Sequence, residues 1–173
     1  VKLIALPSSR IEDVTVVTDR NATLGIVHYK IDTTDGLSVN AYLQDAKGQV
    51  VAEATGSEGT LEVADATLWE PGAGYLYKLG FPADSNDTAV DQYAIDVGIR
   101  TVEVKGTQFL INDKPFYFKG FGKHEDSEYR GKGYDPVVNL RDFELLTWIG
   151  ANSIRTSHYP YAEEFMQMAN RKG

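Results

Sequence analysis

"DPVVNLRDFELLTWIGANSIRTSHY", residues 135–159, is the stretch that decides the fold of the C-terminal part of the chain. Asp135 is a favourable N-cap, Pro136 suits the first helical position, and Gly150 is typical of the residue just beyond a helix end. The residues from 151 to 159 follow this helix end directly and predict a buried strand. A helix that leads directly into such a strand is typical of α/β folds.

The elements on either side of this stretch extend the pattern. Residues 101–106, 108–113 and 115–121 are predicted strands, and residues 160–173 are a second predicted helix. The order strand, helix, strand, helix predicts two βα units with parallel strands. Because two strands and two helices leave one face and one edge of a parallel sheet uncovered, the pattern also predicts that the chain is truncated.

The first hundred residues follow a different pattern, in which apolar side chains recur at every second position. Turn signals such as Asp35-Gly36 and residues 82–87 divide this region into short segments, which favours an antiparallel immunoglobulin-like β-sandwich over residues 1–100. Residues 101–173 then form the incomplete α/β domain. The seven predicted strands of the sandwich are residues 13–19, 23–31, 37–46, 49–55, 59–63, 75–81 and 91–99.

Composition excludes several classes of function. The 173 residues carry a net charge of −8 and contain no dense lysine or arginine cluster, so nucleic acid and anionic membranes are poor partners. No apolar run is long enough to cross a membrane. The chain has no cysteine, which excludes disulfides and thiolate metal sites and fits a cytoplasmic protein.

Candidate site residues follow the two predicted parallel strands, because sites in such folds form where strands end. His158 is either a structural histidine or a ligand contact that can donate and accept hydrogen bonds. Arg155, in a strand expected to be buried, requires a carboxylate or several acceptors. It forms either a structural ion pair or a contact that keeps a catalytic carboxylate ionised.

The segment "GFGKHEDSEYRGKG", residues 120–133, is the second candidate. Its charged side chains are either simply solvated or belong to a functional loop at the rim of the site. Glu125 and Asp126 are adjacent on an extended chain and point apart, so they are not expected to act as an acid/base pair. With only His124 and His158 in this half and no HExxH spacing, no metal site is predicted.

Four motifs carry a family resemblance: "GFGKHED" (120–126), "RGKG" (130–133), "WIGAN" (148–152) and "RTSHYPYAEE" (155–164). In this order they closely resemble the β-glucuronidases of glycoside hydrolase family 2. The resemblance implies an N-terminal jelly roll, an immunoglobulin-like sandwich and a (β/α)₈ barrel, of which this chain holds the sandwich and the first two βα units. It implies retaining hydrolysis of β-D-glucuronides by two glutamates about 5 Å apart.

The resemblance further implies that both glutamates lie outside this chain, so no residue here is catalytic and the chain alone is inactive. His158 would bind sugar hydroxyls, Arg155 would lie beneath the nucleophile, and His124, Glu125 and Asp126 would shape the mouth of the barrel. No cofactor and no metal is implied. Phe143 and Trp148 are expected to pack the first helix against the barrel.

Two alternatives remain open. In the first, the parent protein is a related β-galactosidase or β-mannosidase. In the second, the chain is a non-catalytic spacer module that binds carbohydrate or a partner protein. In the leading interpretation the full-length parent binds a carbohydrate substrate, binds neither nucleic acid nor membrane, and is a homo-oligomer.

Overall fold

The chain forms two compact units in a computed structural model that describes residues 3–34, 36–86 and 88–173. The predicted turn residues Asp35 and Asp87 lie outside the described residues. The first unit comprises Val1–Leu68 and Tyr75–Thr101, and the second comprises Trp69–Gly74 and Val102–Gly173. Within the described residues, no helix is long and apolar enough to span a membrane.

The first unit is a β-sandwich, as the alternating pattern predicts. One antiparallel sheet has the order β1-β2-β5 and the other the order β4-β3-β6-β7. Each of the seven predicted strands is present, with shifts of a few residues at the ends. The strands are β1 (Ile11–Asn21), β2 (Leu24–Thr33), β3 (Ser38–Gln44), β4 (Val50–Thr55), β5 (Glu58–Val63), β6 (Tyr77–Ser85) and β7 (Thr88–Val97).

The core of the sandwich lies between the two sheets. Val27 and Leu61 from one sheet and Leu43, Leu79 and Phe81 from the other are at most 1% exposed. In β2, β3 and β5 the neighbours of these residues along the strand are more exposed, as the pleat requires, whereas in β6 Gly80 between Leu79 and Phe81 is also buried. The two-residue periodicity of the sequence therefore identifies the buried face of each sheet.

Residues 82–85 depart from the prediction, because they continue β6 instead of forming a turn. Pro82 lies opposite Gln92 of β7. On its other side, β6 pairs with β3 at Gly80 and again at Ala83, and the pairing is interrupted around Pro82. Proline has no N–H to donate, so it is accommodated in the strand only where the ladder is open.

The second unit contains the predicted βαβα segment. Strands β8 (Val102–Lys105), β9 (Gln108–Ile111) and β10 (Lys114–Pro115) form an antiparallel sheet. Strand β11 (Gly120–Lys123) is followed by a two-stranded hairpin of β12 (Asp126–Ser127) and β13 (Gly131–Lys132). The second unit is completed by helix α1 (Pro136–Trp148), strand β14 (Ser153–Thr156) and helix α2 (Glu163–Lys172). β11 and β14 pair in parallel, which confirms the predicted sheet direction.

The prediction of a single strand over residues 115–121 is wrong, because the structure has two strands, β10 and β11, with a break between them. Between β10 and β11 the chain leaves the sheet, and the rings of Phe116 and Phe118 pack on Phe109 with centroid distances of 6.4 and 4.9 Å. Packing of these aromatic rings on the neighbouring strand β9 therefore accompanies the loss of strand structure after Pro115.

Helix α1 begins and ends where its flanking residues indicate. The Asp135 carboxylate accepts hydrogen bonds from the N–H groups of Val137 and Val138 at 3.0 and 3.2 Å, and Gly150 has φ +76°. Phe143 packs on Phe165 of α2 with a ring-centroid distance of 5.3 Å, which is a contact between the two helices; its packing against the barrel stays a prediction. The same expectation for Trp148 stays a prediction: its side chain is 81% exposed, but it lines an apolar cleft together with Phe121 of β11 and Ile154 of β14.

The strand predicted for residues 151–159 is shorter and less buried than expected. β14 covers only Ser153–Thr156, and its last two residues, Arg155 and Thr156, are exposed. In the part of the chain that the structure describes, β11 is the only strand that pairs with it. Gly120 and Ser153 lie opposite each other in this pair, and a Cβ at Gly120 would overlap the carbonyl oxygen of Ser153. Glycine therefore permits the close approach of the two strands.

Candidate functional site

The two loops that leave the parallel strands meet in space. Lys123 and Thr156 are register partners at the ends of β11 and β14. The chain beyond each strand end carries a histidine, and the rings of His124 and His158 lie edge to face with a centroid distance of 6.2 Å. Both side chains are exposed. The structure therefore brings together the two histidines that the sequence identifies as candidates.

His158 has a backbone conformation that is rare for a residue with a side chain. Its φ is +50°, in the left-handed region. The preceding residue, Ser157, is 3% exposed, and its N–H donates to the Tyr161 hydroxyl at 3.1 Å. The Ser157 hydroxyl donates to the Lys123 carbonyl at 3.1 Å. Such conformations persist where the surroundings enforce them, and they concentrate at functional sites.

Tyr161, two residues before α2, also holds the loop that carries His158 against the end of β11. Its hydroxyl also donates to the carbonyl of Lys123, and its ring packs against Phe165 with a centroid distance of 5.0 Å. The end of β11 therefore accepts two hydrogen bonds from the loop that carries His158. This contact fixes the two strand ends relative to each other.

Tyr159 connects the His158 loop to the loop after β11. Its hydroxyl oxygen accepts the N–H of Glu125 at 2.7 Å and lies 3.3 Å from Nδ1 of His124. Partial desolvation raises the pKa of the Tyr159 phenol; the Glu125 N–H opposes this shift, and the neighbouring Tyr161 and Asp126 add to it. The hydroxyl therefore keeps its proton at neutral pH and has it available to donate.

Glu125 and Asp126 point to different surroundings, as expected for adjacent residues on an extended chain. Glu125 is 9% exposed, and its Oε1 accepts the N–H of Ala162 at 3.0 Å, at the N-terminus of α2. A carboxylate at this end of a helix is favoured by the helix dipole. Asp126 is exposed in β12. The carboxylate of Glu125 is thus committed to the backbone of the neighbouring loop.

Arg155 differs from the expectation of a buried guanidinium with a carboxylate partner. It is exposed opposite Gly122 of β11, where a Cβ on that glycine would lie 3.9 Å from Nε of Arg155. Among the residues that the structure describes, no ion pair to Arg155 is observed. Arg155 is exposed because no described segment covers this face of the two-stranded sheet.

A different ion pair, which the sequence did not indicate, anchors the end of β11. Nζ of Lys123 lies 2.7 Å from Oδ2 of Asp142 in α1, and the two side chains are 14% and 21% exposed. Burial raises the pKa of Asp142, but the hydrogen bonds and positive charges of Lys123 and Arg141 outweigh burial and hold it below its ordinary value. Asp142 is therefore ionised at neutral pH.

A cleft of about 850 Å³ opens beside these loops. Its lining includes His124, Asp126, Lys132 and Tyr159, and Nζ of Lys132 lies 4.3 Å from the centroid of the Tyr159 ring. Donors, acceptors and an aromatic face in one cleft suit a polyhydroxylated ligand. In the described part of the chain, no group of three histidine or acidic residues is arranged to hold a metal ion.

Comparison with known families identifies the class of protein to which this architecture belongs. Residues 9–100 match the model of the glycosyl hydrolases family 2, and residues 102–173 match the TIM barrel domain of the same family. The chain belongs to glycoside hydrolase family 2. This confirms the resemblance inferred from the four motifs and the combination of a sandwich with the start of a barrel.

Relatives that the chain matches along its length include β-glucuronidases. The β-glucuronidase of Paenibacillus borealis is 51% identical over the entire chain, which covers 29% of that protein. The structure of a Dictyoglomus thermophilum β-D-glucuronidase matches 96% of the chain with a TM-score of 0.91 and 51% identity. A Ruminococcus gnavus β-glucuronidase, solved with a uronic isofagomine, matches 98% with a TM-score of 0.94 and 45% identity. The chain spans less than a third of each of these proteins.

Three residues that build the site were missed in the sequence: Ser157, Tyr159 and Tyr161. The available signal was the run of hydroxyl-bearing side chains around His158. Such residues can satisfy backbone groups where a strand ends and before a helix begins. Their partners, Lys123 and Glu125, are more than thirty residues away, and sequence spacing gives no indication of these contacts.

Proposed function

We propose that the full-length protein containing this chain is a retaining β-glucuronidase that hydrolyses β-D-glucuronides. The observation that carries the proposal is that β-glucuronidases match this chain over its entire length, including both loops of the site. The juxtaposed His124 and His158 beside a polar cleft support a carbohydrate ligand. Retaining glycosidases use two carboxyl groups about 5 Å apart. In this proposal they come from outside the chain, and the chain alone is inactive.

His158 has the most direct role in this proposal. Its exposed imidazole, on a backbone held by Ser157 and Tyr161, donates to or accepts from a sugar hydroxyl. A hydrogen bond that strengthens as the oxocarbenium-like transition state forms would raise kcat. A backbone held in this way reduces the free energy lost in orienting the side chain when the sugar binds.

The other candidate residues have supporting roles. Arg155, which is exposed in β14, is proposed to lie beneath the nucleophile and keep it ionised. His124 and Asp126 shape the mouth of the cleft. Glu125 contributes by holding the loop that carries them against α2, because its carboxylate is engaged by Ala162.

The test compares two substrates on the purified full-length protein: an aryl β-D-glucuronide and the matching aryl β-D-galactoside. We expect kcat/KM for the glucuronide to exceed that for the galactoside by a factor of at least about 1,000, because a site built for a carboxylate is left with an unpaired charge by the galactoside. Preference for the galactoside would contradict the substrate assignment. Absence of activity on both would favour a non-catalytic spacer module.

We further propose that residues 1–100 and 101–173 are the sandwich and the start of the catalytic barrel. The full-length protein is proposed to be a cytoplasmic homo-oligomer. The absence of cysteine supports the cytoplasmic location. Cell fractionation tests the location, and light scattering of the purified protein tests the oligomeric state.

A further inference from the structure

We propose that Tyr159 is a positioning residue, whose hydroxyl holds His124 in the neutral tautomer with its proton on Nε2. His124 then presents an N–H donor, and not an acceptor, to the ligand in the cleft. The inference rests on the proposed function, because it assigns a carbohydrate hydroxyl as the acceptor. It goes beyond that function by assigning a role to Tyr159 and a tautomer to the neutral ring of His124.

The inference about the His124 tautomer is drawn from the hydrogen bonds of the Tyr159 hydroxyl. The N–H of Glu125 can only donate, so at 2.7 Å it occupies a lone pair on the Tyr159 oxygen. The phenolic proton then has two acceptors within reach: Nδ1 of His124 at 3.3 Å, and the Tyr161 hydroxyl, whose oxygen already accepts the N–H of Ser157. We infer that it is donated to Nδ1. Nδ1 can accept this proton only if it carries none itself. In a neutral imidazole the ring proton is therefore on Nε2.

Tyr159 is itself held from several sides. Its ring stacks on Tyr161 with a centroid distance of 4.9 Å and an interplanar angle of 21°. Lys132 lies over the ring at 4.3 Å. The backbone of Glu125 is fixed because its carboxylate binds Ala162 and its carbonyl accepts the N–H of Gly133 at 2.9 Å. A donor held in this way orients its neighbour without further reorganisation.

The substitution Tyr159→Phe removes the hydroxyl and retains the aromatic ring. The ring contacts with Tyr161 and Lys132 are preserved, whereas His124 loses the donor that selects its tautomer and the N–H of Glu125 loses its acceptor. We expect kcat/KM for the aryl β-glucuronide to fall about tenfold, the effect of losing one hydrogen bond. Tyr134→Phe, the same change at a half-buried tyrosine in the segment before α1, is the matched control and should retain the wild-type value.

A double-mutant cycle in the full-length protein distinguishes positioning from a general structural role. It compares the wild type, Tyr159→Phe, His124→Gln and the double variant. If Tyr159 acts through His124, Tyr159→Phe has no further effect on kcat/KM in the His124→Gln background. Equal losses from Tyr159→Phe in both backgrounds, or wild-type activity of the single variant, would overturn the proposal.

Ring ¹⁵N NMR of histidine-labelled protein provides a second test, which needs neither turnover nor a folded Tyr159 variant. The His124 signals are assigned by their loss in His124→Gln. We expect an Nε2–H tautomer at neutral pH, and an Nδ1–H tautomer would overturn the inference. If the wild-type protein shows the Nε2–H tautomer of His124 but has no glucuronidase activity, the proposed function is refuted and the inference about Tyr159 and His124 stands.

Discussion

The carboxylate of Glu125 accepts the backbone N–H of Ala162 at 3.0 Å, and this bond joins the loop after β11 to the N-terminus of α2. The two residues are 37 positions apart. Ala162 precedes the first turn of a helix that has no side-chain cap of its own. Glu125 therefore supplies, from a neighbouring loop, the acceptor for the N-cap amide that in a capping box comes from the side chain three residues further along the helix.

The substitution Glu125→Ala should release the Ala162 amide. Removing the acceptor leaves this N–H without its partner, a loss of about 1–3 kcal/mol. Amide hydrogen exchange at Ala162 should accelerate by about tenfold or more. Glu125→Gln is the matched control, because its carbonyl oxygen can still accept the bond. Equal exchange rates in wild type and Glu125→Ala would show that the contact does not hold the loop.

A methyl group should be tolerated very differently at the two glycines of β11. In Gly120→Ala the new Cβ overlaps the Ser153 carbonyl, so the parallel strands must separate, and we expect a loss of about 1–3 kcal/mol. In Gly122→Ala the Cβ only reaches van der Waals distance of Arg155, and stability should change little. Urea unfolding followed by fluorescence measures both variants, since Trp69 and Trp148 lie in the second unit. Equal losses would contradict the close approach of the strands.

The ion pair between Lys123 and Asp142 should make the second unit sensitive to acid. Because the pKa of Asp142 is lowered in the folded state, its contribution is fully present above the pKa of an unfolded aspartate, about 4, and is lost as pH falls through the folded pKa. Asp142→Asn should therefore cost about 1 kcal/mol at pH 7, and the difference should diminish toward pH 3.

The control for this pH dependence is Glu103→Gln, at an exposed position in β8 of the same unit. Its unfolding free energy should follow that of the wild type at both pH values. A deficit in Asp142→Asn that is the same at pH 7 and pH 3 would show that lost packing, and not charge, causes the destabilisation.

Features of the fold that depend on local chemistry could be predicted from the sequence. The N-cap at Asp135, the left-handed Gly150 and the alternating strands of the sandwich follow from residue type and spacing. The parallel pairing of β11 and β14 follows from the order of elements. Each depends on interactions within a few residues or on a general rule of connection.

Features that depend on contacts between distant segments could not be predicted. The sequence indicated His124 and His158 as candidates, but the hydroxyl of Tyr159 that connects their loops became evident only in three dimensions.

The measurement that tests the central claim most directly is the activity of His158→Ala in the full-length protein on an aryl β-glucuronide. His28→Ala is the matched control, since His28 is exposed on the sandwich and its Nδ1 is hydrogen-bonded to Thr60 at 2.9 Å. If the paired strand ends form part of the sugar site, kcat/KM should fall about 100-fold or more in His158→Ala and remain unchanged in His28→Ala. Wild-type activity in His158→Ala would contradict the account.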